Sequence, residues 1–288
     1  MNLFFKQKAF AYIQLFRWHK PIGIFLLLWP TLVALWIASG GIPTWRLLTI
    51  FILGTVLMRS AGCVVNDLAD CDFDRYVTRT CYRPLASGRV THQEAWVLAW
   101  VMLLIAGLLI YSLNGLTWQL AVCAVFLAMS YPLLKRFFPV PQAYLGIAFG
   151  FGIPMAFAAV NNRVPLLAWI LLSGNVFWTL AYDTAYAMVD REDDEKIGIY
   201  TSARTFGQFD IAAIMLSYAL FLAIIAYVGI SLDLRWPYWL AWLAMLMCML
   251  SHYRLLRTRC IQNYFAVFMQ NNYLGLCWFV GVVGSYLL

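Results

Sequence analysis

Oxygen-bearing side chains at helical spacing are the first feature of this sequence to suggest chemistry. The run Asn66-Asp67-Leu68-Ala69-Asp70-Cys71-Asp72-Phe73-Asp74 places an amide or an acid at every fourth position. On a helix advancing about 100° per residue, Asp70 falls about 40° and Asp74 about 80° from Asn66, so three oxygen ligands share one face. Arg59 precedes Asn66 on the same wheel with an offset of only about 20°. A second run, Asp183-Thr184-Ala185-Tyr186-Ala187-Met188-Val189-Asp190-Arg191-Glu192-Asp193-Asp194, is acidic in the same way. The same arithmetic brings Asp183, Asp190 and Asp194 within an arc of about 40°.

The cost of such clusters indicates their use. A carboxylate inside a bilayer costs about 2.5–3.5 kcal/mol on insertion scales, and several close together repel one another. Hard dications offset that repulsion, and magnesium commonly bridges one or two carboxylates to substrate phosphates. Two facing acid-rich helix ends therefore make a seat for a diphosphate held through Mg²⁺. Nearby Arg and Lys side chains can then neutralise the remaining charge of the leaving group. A solvated charge run at a membrane boundary is the plainer reading of one such segment. Two segments, each in helical register and on the same side of the bilayer, favour the site.

The elements that must position these residues are transmembrane helices. Of 288 residues, 64% are hydrophobic and only 11% charged, far from the near-half apolar, quarter-charged make-up of soluble domains. Nine apolar runs are long enough to span as helices, which satisfy their own backbone groups in lipid. They lie near 20–38, 46–65, 94–113, 115–134, 142–160, 165–189, 209–230, 236–254 and 271–288. Residues 1–19 read as an amphipathic segment on the membrane surface. No early segment has a signal-peptide layout, so the first span is expected to be retained. The whole of 1–288 reads as a single all-α domain, with a weak internal repeat of four-helix units, 46–160 and 165–288.

Charge fixes the expected orientation. Sixteen basic residues fall in the N-terminal segment and in the connections after spans 2, 4, 6 and 8, against Arg46, Arg163 and Arg235 on the opposite side. The positive-inside rule then puts the N-terminus in the cytoplasm and the C-terminus outside. The two long connections, 66–93 and 190–208, both open on the acid clusters, and long loops in compact proteins tend to be functional. Basic residues alternate with apolar spans and form no stripe interleaved with exposed aromatics, which argues against a nucleic-acid partner. Seven cysteines show no CxxC pair or Cys/His ligand spacing, so neither zinc nor a dithiol site is expected.

The run 58–67, Met-Arg-Ser-Ala-Gly-Cys-Val-Val-Asn-Asp, with its NDxxDxxxD spacing, closely resembles the UbiA superfamily of intramembrane prenyltransferases. The second run resembles that family's DxxxD motif. The likeness extends through Lys20-Pro21-Ile22-Gly23, Leu28-Trp29-Pro30-Thr31, Tyr131-Pro132, Lys135-Arg136, Ile153-Pro154-Met155-Ala156 and Asn271-Asn272-Tyr273, nearly the whole chain. It departs at Tyr82, where Asn is usual, at Ala86 in place of Pro, and at Tyr200 in place of a basic residue. These changes touch the loop caps and one phosphate contact, and none removes a metal ligand.

The resemblance implies a polytopic membrane protein of nine helices in a ring-like bundle, with an intramembrane cavity capped by cytoplasmic loops. It implies that Asn66, Asp70 and Asp74 hold one Mg²⁺ with Asp67 in support, and that Asp190 and Asp194 hold another. Asp70, Asp190, Arg59, Tyr131 and Tyr186 would be catalytic, the tyrosines facing an allylic cation with their rings. Arg59, Arg83, Lys135, Arg136 and Asp183 would bind substrate, with Arg136 the first choice for an acceptor carboxylate and Arg59 the second. The implied reactants are a polyprenyl diphosphate and 4-hydroxybenzoate, the pathway ubiquinone biosynthesis and the site the bacterial inner membrane.

Naphthoate, homogentisate or haem are alternative acceptors within the same superfamily. A magnesium-dependent transporter is the non-enzyme alternative, but the far halves of the spans are almost uninterrupted apolar. A long apolar donor must slide in sideways with its tail in lipid. Gly146, Gly150 and Gly152 mark span 142–160 either as a wall of the tail tunnel or as a close-packed helix.

Overall fold

A computed structural model describes residues 2–76 and 79–288 of the chain. Among them no β-strand occurs, and nine helices are long and apolar enough to cross a membrane. The N-terminal segment forms α1 (Asn2–Leu15), followed by α2 (Ile22–Ser39), α3 (Trp45–Asp74), α4 (His92–Ile110) and α5 (Gly115–Leu134). Then come α6 (Pro141–Gly150), α7 (Gly152–Asn161), α8 (Leu166–Ala187), α9 (Arg191–Ile197) and α10 (Ser202–Phe206). The chain closes with α11 (Asp210–Ser231), α12 (Trp236–Arg257) and α13 (Ile261–Leu287).

Local chemistry sets these boundaries. Thr91 caps α4 with a reciprocal box: its hydroxyl accepts from the Glu94 amide, and Glu94 accepts from the Thr91 amide at 2.8 Å. This satisfies two of the orphan donors at a helix start. Asn114 caps α5 by accepting from the Thr117 amide. Gly40 ends α2 at φ 62, a left-handed conformation that glycine adopts without a Cβ clash.

Three departures from the sequence expectations have physical causes. The span expected over 142–160 divides at Phe151 into α6 and α7, because Pro154 has no N–H to continue the backbone ladder. The second acidic run does not lie on one helix: α8 stops at Ala187, and Asp190 (φ −101, ψ 4) opens the separate α9. The last span begins at Ile261, not near 271. Its extra turns carry Phe265, Phe268 and Met269, which face a cavity.

The helices close a ring. The first membrane helix, α2, packs against α3, α7 and the last helix, α13, while α12 pairs with α13 and α8 with α6 and α11. Most of the core lies in the half built from α2, α7, α8 and α11–α13, around buried Trp178, Phe221, Tyr238 and Trp278. One buried polar network there is fully paired. Asn271 accepts from Trp178 Nε1 at 2.9 Å and donates to Tyr218 Oη at 2.8 Å, and Tyr218 meets His252 at 3.2 Å. Pairing of this kind is what a site without water requires. By contrast, α4 buries only Ala95, Ala99 and Ala106, and α5 only Thr117 and Pro132. A second, smaller cluster docks Ala11, Leu15 and Phe16, on and just after α1, against the ends of α3 and α4.

The glycines of α6 and α7 are contact points. A Cβ on Gly146 would lie 2.8 Å from the Val176 backbone, and one on Gly150 2.5 Å from the Asn175 side chain. A Cβ on Gly152 would collide with Thr31. Of the two roles open for these residues, Gly146 and Gly150 serve close helix packing against α8 and Gly152 close packing against α2.

Candidate active site

The last turns of α3 carry the first acid run, and the end of α8 with α9 carries the second. Both border one cavity of ≈ 1350 Å³, larger than the ~300–1,000 Å³ of ordinary small-molecule pockets. Arg59, Asn66, Asp67, Asp70, Asp74, Arg83, Tyr131, Lys135, Asp183, Tyr186, Asp190 and Asp194 all border it. The break between α8 and α9 turns Asp190 and Asp194 inward even though the single-helix arc is lost.

The acids are met by bases from other elements. The Lys135 ammonium, just past α5, donates to Asp70 at 2.7 Å and to Asn66 Oδ1 at 3.1 Å. Arg83 donates to Asp74 at 2.8 Å and to Asp67 at 3.2 Å. Asp67 is also gripped by Arg17 through both carboxylate oxygens, at 2.7 and 2.9 Å. With 1% exposure Asp67 has no room for a further ligand, so it braces α3 against the N-terminal segment. Arg79 reaches Asp190 through two nitrogens, donates to Tyr186 Oη, and lies 4.8 Å above the Tyr186 ring. Lys135 similarly lies 5.4 Å from the Tyr131 ring centre. Both tyrosine faces therefore already hold cations, as an electron-rich ring does.

Two residues stand apart. Among the described residues Asp183 has no hydrogen bond or ion pair, though Lys135 and Arg59 act on it electrostatically. Arg59 rests on the Phe149 ring at 5.2 Å, hard against Gly23, and its buried Nε has no partner. A buried donor without an acceptor is costly, which marks Arg59 as waiting for an anion. Arg136 is different: it is exposed, donates to the Ala69 carbonyl at 3.3 Å and does not border the cavity. Arg59, unlike Arg136, borders the cavity.

Burial and neighbouring charge set the ionisation of the groups near the mouth. Asp194 is pushed up to about 7 by burial and then by the Asp190 charge. Asp74 is raised by burial against the opposing pull of Arg83. For Lys135, burial favours the neutral amine, but the Asp70 carboxylate and Tyr131 together outweigh it and the ammonium is held above its ordinary value.

The donors suit a hard dication. Asn66 and Asp70 already share one cation, the Lys135 ammonium, between two oxygens. No group of three or more His, Cys, Asp or Glu side chains able to hold a metal occurs among the described residues. Few protein carboxylates completed by substrate phosphate oxygens is the usual arrangement for Mg²⁺. Of the residues expected to hold it, Asn66, Asp70 and Asp74 of α3 and Asp190 and Asp194 at α9 all border the cavity.

Sequence reasoning counted Arg17 and Arg79 only as topology signals. The four-residue spacing of Arg75, Arg79 and Arg83 hinted at a common helical face, but the contact with Asp190 is tertiary. It also missed Asp210, fully buried at the start of α11. Asp210 accepts from Arg191 at 2.8 Å and from Arg259 at 2.7 Å, so the residue after Asp190 is anchored to α11 and to the α12–α13 turn.

Comparison with known proteins agrees with this architecture. The family model described as "UbiA prenyltransferase family" matches residues 27–274. A 4-hydroxybenzoate octaprenyltransferase of Burkholderia ambifaria is 58% identical over 277 residues, 96% of each chain. One from Paraburkholderia phytofirmans is 60% identical over 275 residues, again 96% of each. Among solved structures, an apo UbiA homolog from Aeropyrum pernix superposes with a TM-score of 0.80 at 22% identity, covering 91% of this chain and 97% of that one. A UbiA homolog from Archaeoglobus fulgidus bound to GPP and Mg²⁺ gives 0.70 at 16% identity, covering 95% and 99%. At such identities these two likenesses concern the fold.

Proposed function

The chain belongs to the UbiA prenyltransferase family, and we propose that its two acid-bearing helix ends seat the diphosphate of a polyprenyl donor opposite a 4-hydroxybenzoate acceptor. The reaction transfers the polyprenyl group to the ring carbon ortho to the hydroxyl, an early step of ubiquinone biosynthesis. The observation that carries this reading is the single cavity in which carboxylates from α3 and α8–α9 face each other at one end, with apolar walls leading away.

Each step has residues to serve it. Mg²⁺, when bound, would neutralise the diphosphate and assist its departure. Lys135, Arg79 and Arg83 are placed to exchange their carboxylate partners for phosphate oxygens as the allylic C–O bond breaks and diphosphate leaves with the electron pair. Tyr131 and Tyr186, whose faces already hold cations, stabilise the allylic cation. Arg59 takes the acceptor carboxylate and so aims the ring. The ring's ortho carbon forms the new C–C bond, and Asp183, free of partners, accepts the proton whose loss restores aromaticity. The apolar surroundings exclude water that would quench the cation.

The protein is a multi-pass membrane protein. The basic bias of the acid-bearing face supports an inner-membrane orientation with that face and the N-terminus in the cytoplasm and the C-terminus in the periplasm. The direct test is turnover by purified protein in detergent with 4-hydroxybenzoate, a polyprenyl diphosphate and Mg²⁺. Activity with another aromatic acceptor and none with 4-hydroxybenzoate would reassign the acceptor.

A further inference from the structure

We propose that Asn272 of α13 donates its side-chain amide to the hydroxyl oxygen of the aromatic acceptor, and that this contact selects a hydroxylated ring and sets its orientation. The proposal rests on the prenyl-transfer reading above. It starts from two adjacent residues, Asn271 and Asn272, each of which meets a tryptophan. Trp178 Nε1 lies 2.9 Å from the Asn271 oxygen, and Trp29 Nε1 lies 2.9 Å from the Asn272 oxygen. An indole N–H can only donate, so each amide turns its oxygen to its tryptophan and its NH₂ group away.

The two NH₂ groups end differently. That of Asn271 donates to Tyr218 Oη and to the Val267 carbonyl, both at 2.8 Å, inside the core. That of Asn272 has no hydrogen-bond partner among the described residues, and Asn272 borders the cavity. A polar group within the hydrocarbon region is costly without a partner. Exchanging the ends of this amide would bring no relief, because it would set two donors against each other at Trp29. Gly275, less than one turn further along α13, admits both indoles: a Cβ there would collide with Trp29 and with Trp178. The Asn272 donor is therefore fixed in direction before a ligand arrives, the preorganisation that a specificity contact needs.

The surroundings identify the oxygen that completes it. Neither α2 nor α13 carries a charged residue, and Phe25 stacks on Trp29 with ring centres 5.7 Å apart. A buried carboxylate or diphosphate needs a cation, which these two helices do not supply, and an isoprenyl tail has no oxygen to offer. The remaining acceptor of hydrogen bonds in the reaction is the neutral hydroxyl. Its place is consistent with the chemistry. Phe268, one turn before Asn272, meets the Tyr186 ring at 4.6 Å, and Tyr186 is the ring assigned to the allylic cation. A hydroxyl bound one turn from Phe268 brings the neighbouring ring carbon towards that cation. The amide takes an in-plane lone pair of the hydroxyl oxygen and leaves the other conjugated with the ring, where it activates the ortho carbon.

The experiment removes the contact from both sides. Benzoate is 4-hydroxybenzoate without the hydroxyl, so its inhibition constant against 4-hydroxybenzoate reads the same site without this bond. In Asn272→Leu the KM for 4-hydroxybenzoate should rise about three- to tenfold, the worth of one hydrogen bond between neutral groups. The inhibition constant of benzoate should change less than about twofold. Asn272→Leu leaves the Trp29 N–H without an acceptor, so the double variant Trp29→Phe, Asn272→Leu, in which both partners become apolar, guards against a single variant that fails to fold. It should show the same split. Asn271→Leu is the control inside the core and should lower the unfolding temperature in detergent while keeping the ratio of the two constants at the parent value. Equal changes of both constants in the Asn272 variants, no change in either, or the same split in Asn271→Leu overturn the proposal, because a merely structural amide cannot tell the two ligands apart. A parent that transfers a prenyl group to no aromatic acceptor would instead overturn the prenyl-transfer reading on which it rests.

Discussion

Lys135 sets its ammonium 2.7 Å from the Asp70 carboxylate and 3.1 Å from the Asn66 amide oxygen, so the end of one helix supplies the cation that the end of another is built to hold. The ammonium neutralises the Asp70 carboxylate in the absence of a dication. Under the proposed function Lys135 would exchange its Asp70 carboxylate for a phosphate oxygen when substrate binds.

Metal dependence follows. Asp70→Ala and Asp190→Ala should each lower turnover at least about a hundredfold, as loss of a transition-state electrostatic group does. EDTA should silence the parent, and added Mg²⁺ should restore it. Full activity without magnesium would sink the assignment.

The acceptor site is tested by steady-state kinetics with each substrate varied in turn. Arg59→Ala should raise the acceptor KM about tenfold or more, the scale expected when a buried carboxylate is deprived of its cationic partner, with a smaller effect on the donor KM. Arg59→Lys should recover only part, because an ammonium lacks the planar fork that grips a carboxylate. Arg136→Ala should leave the acceptor KM near the parent value. A reversed ranking of Arg59 and Arg136 would return the role to Arg136.

If Asp183 takes the ring proton, Asp183→Asn should reduce turnover by about 10²–10⁴-fold, the usual worth of general base catalysis, with little change in either KM. Deprotonation then limits the rate, so ring-deuterated 4-hydroxybenzoate should show a primary isotope effect in the variant that is smaller or absent in the parent. A variant as slow but without an isotope effect would assign Asp183 to an earlier step.

Asp194 makes stability depend on pH in the metal-free protein. Its folded value is raised to about 7 from the ordinary 3.8. The unfolded chain therefore ionises first, and the advantage of the protonated folded form is full below pH 3.8 and lost as pH rises through 7. Asp194→Asn should thus be more stable than the parent at pH 8.5 with EDTA, by on the order of 2–4 kcal/mol, and the gap should close towards pH 4. Thermal unfolding in detergent reads this directly. A constant gap across that range would mean the carboxyl is not held protonated.

Sidedness is accessible to cysteine labelling. Cysteines introduced beside Arg83 and Arg204 should react only with reagent supplied to the cytoplasmic face, and one beside Asn161 only from the other. The contact between Arg79 and Asp190 requires the first two to agree with each other. Labelling from opposite faces would break the shared site apart.

Much of this was legible in the chain. Nine apolar runs located nine spans because hydrocarbon leaves a helix little choice, and four-residue spacing placed Asn66, Asp70 and Asp74 on one face. Asp67 was expected to support the metal, and its tie to Arg17, 50 residues away in the chain, is tertiary. What failed to show depends on tertiary contact. The first turns of α13 escaped the hydropathy reading because they face a polar-mouthed cavity. The break at 188–190 has no periodic signature. Arg79 and Asp190 lie 111 residues apart, and Arg136 differs from its neighbour Lys135 only in the direction its helix end points.

The grip of Arg191 and Arg259 on Asp210 has a consequence for the order of synthesis. Asp210 and Arg259 are separated by 49 residues, and a ribosome adding about 5–20 residues per second needs several seconds to cover them. During that interval the loop that carries the second acid run can already meet Arg79, Lys135 and Gln142, while the Arg259 side of the clamp on Asp210 is still to come. The catalytic chamber is therefore finished by its last helical hairpin. A nascent chain halted before α12 would possess every acid of the site and still lack Arg259, the second cation on Asp210.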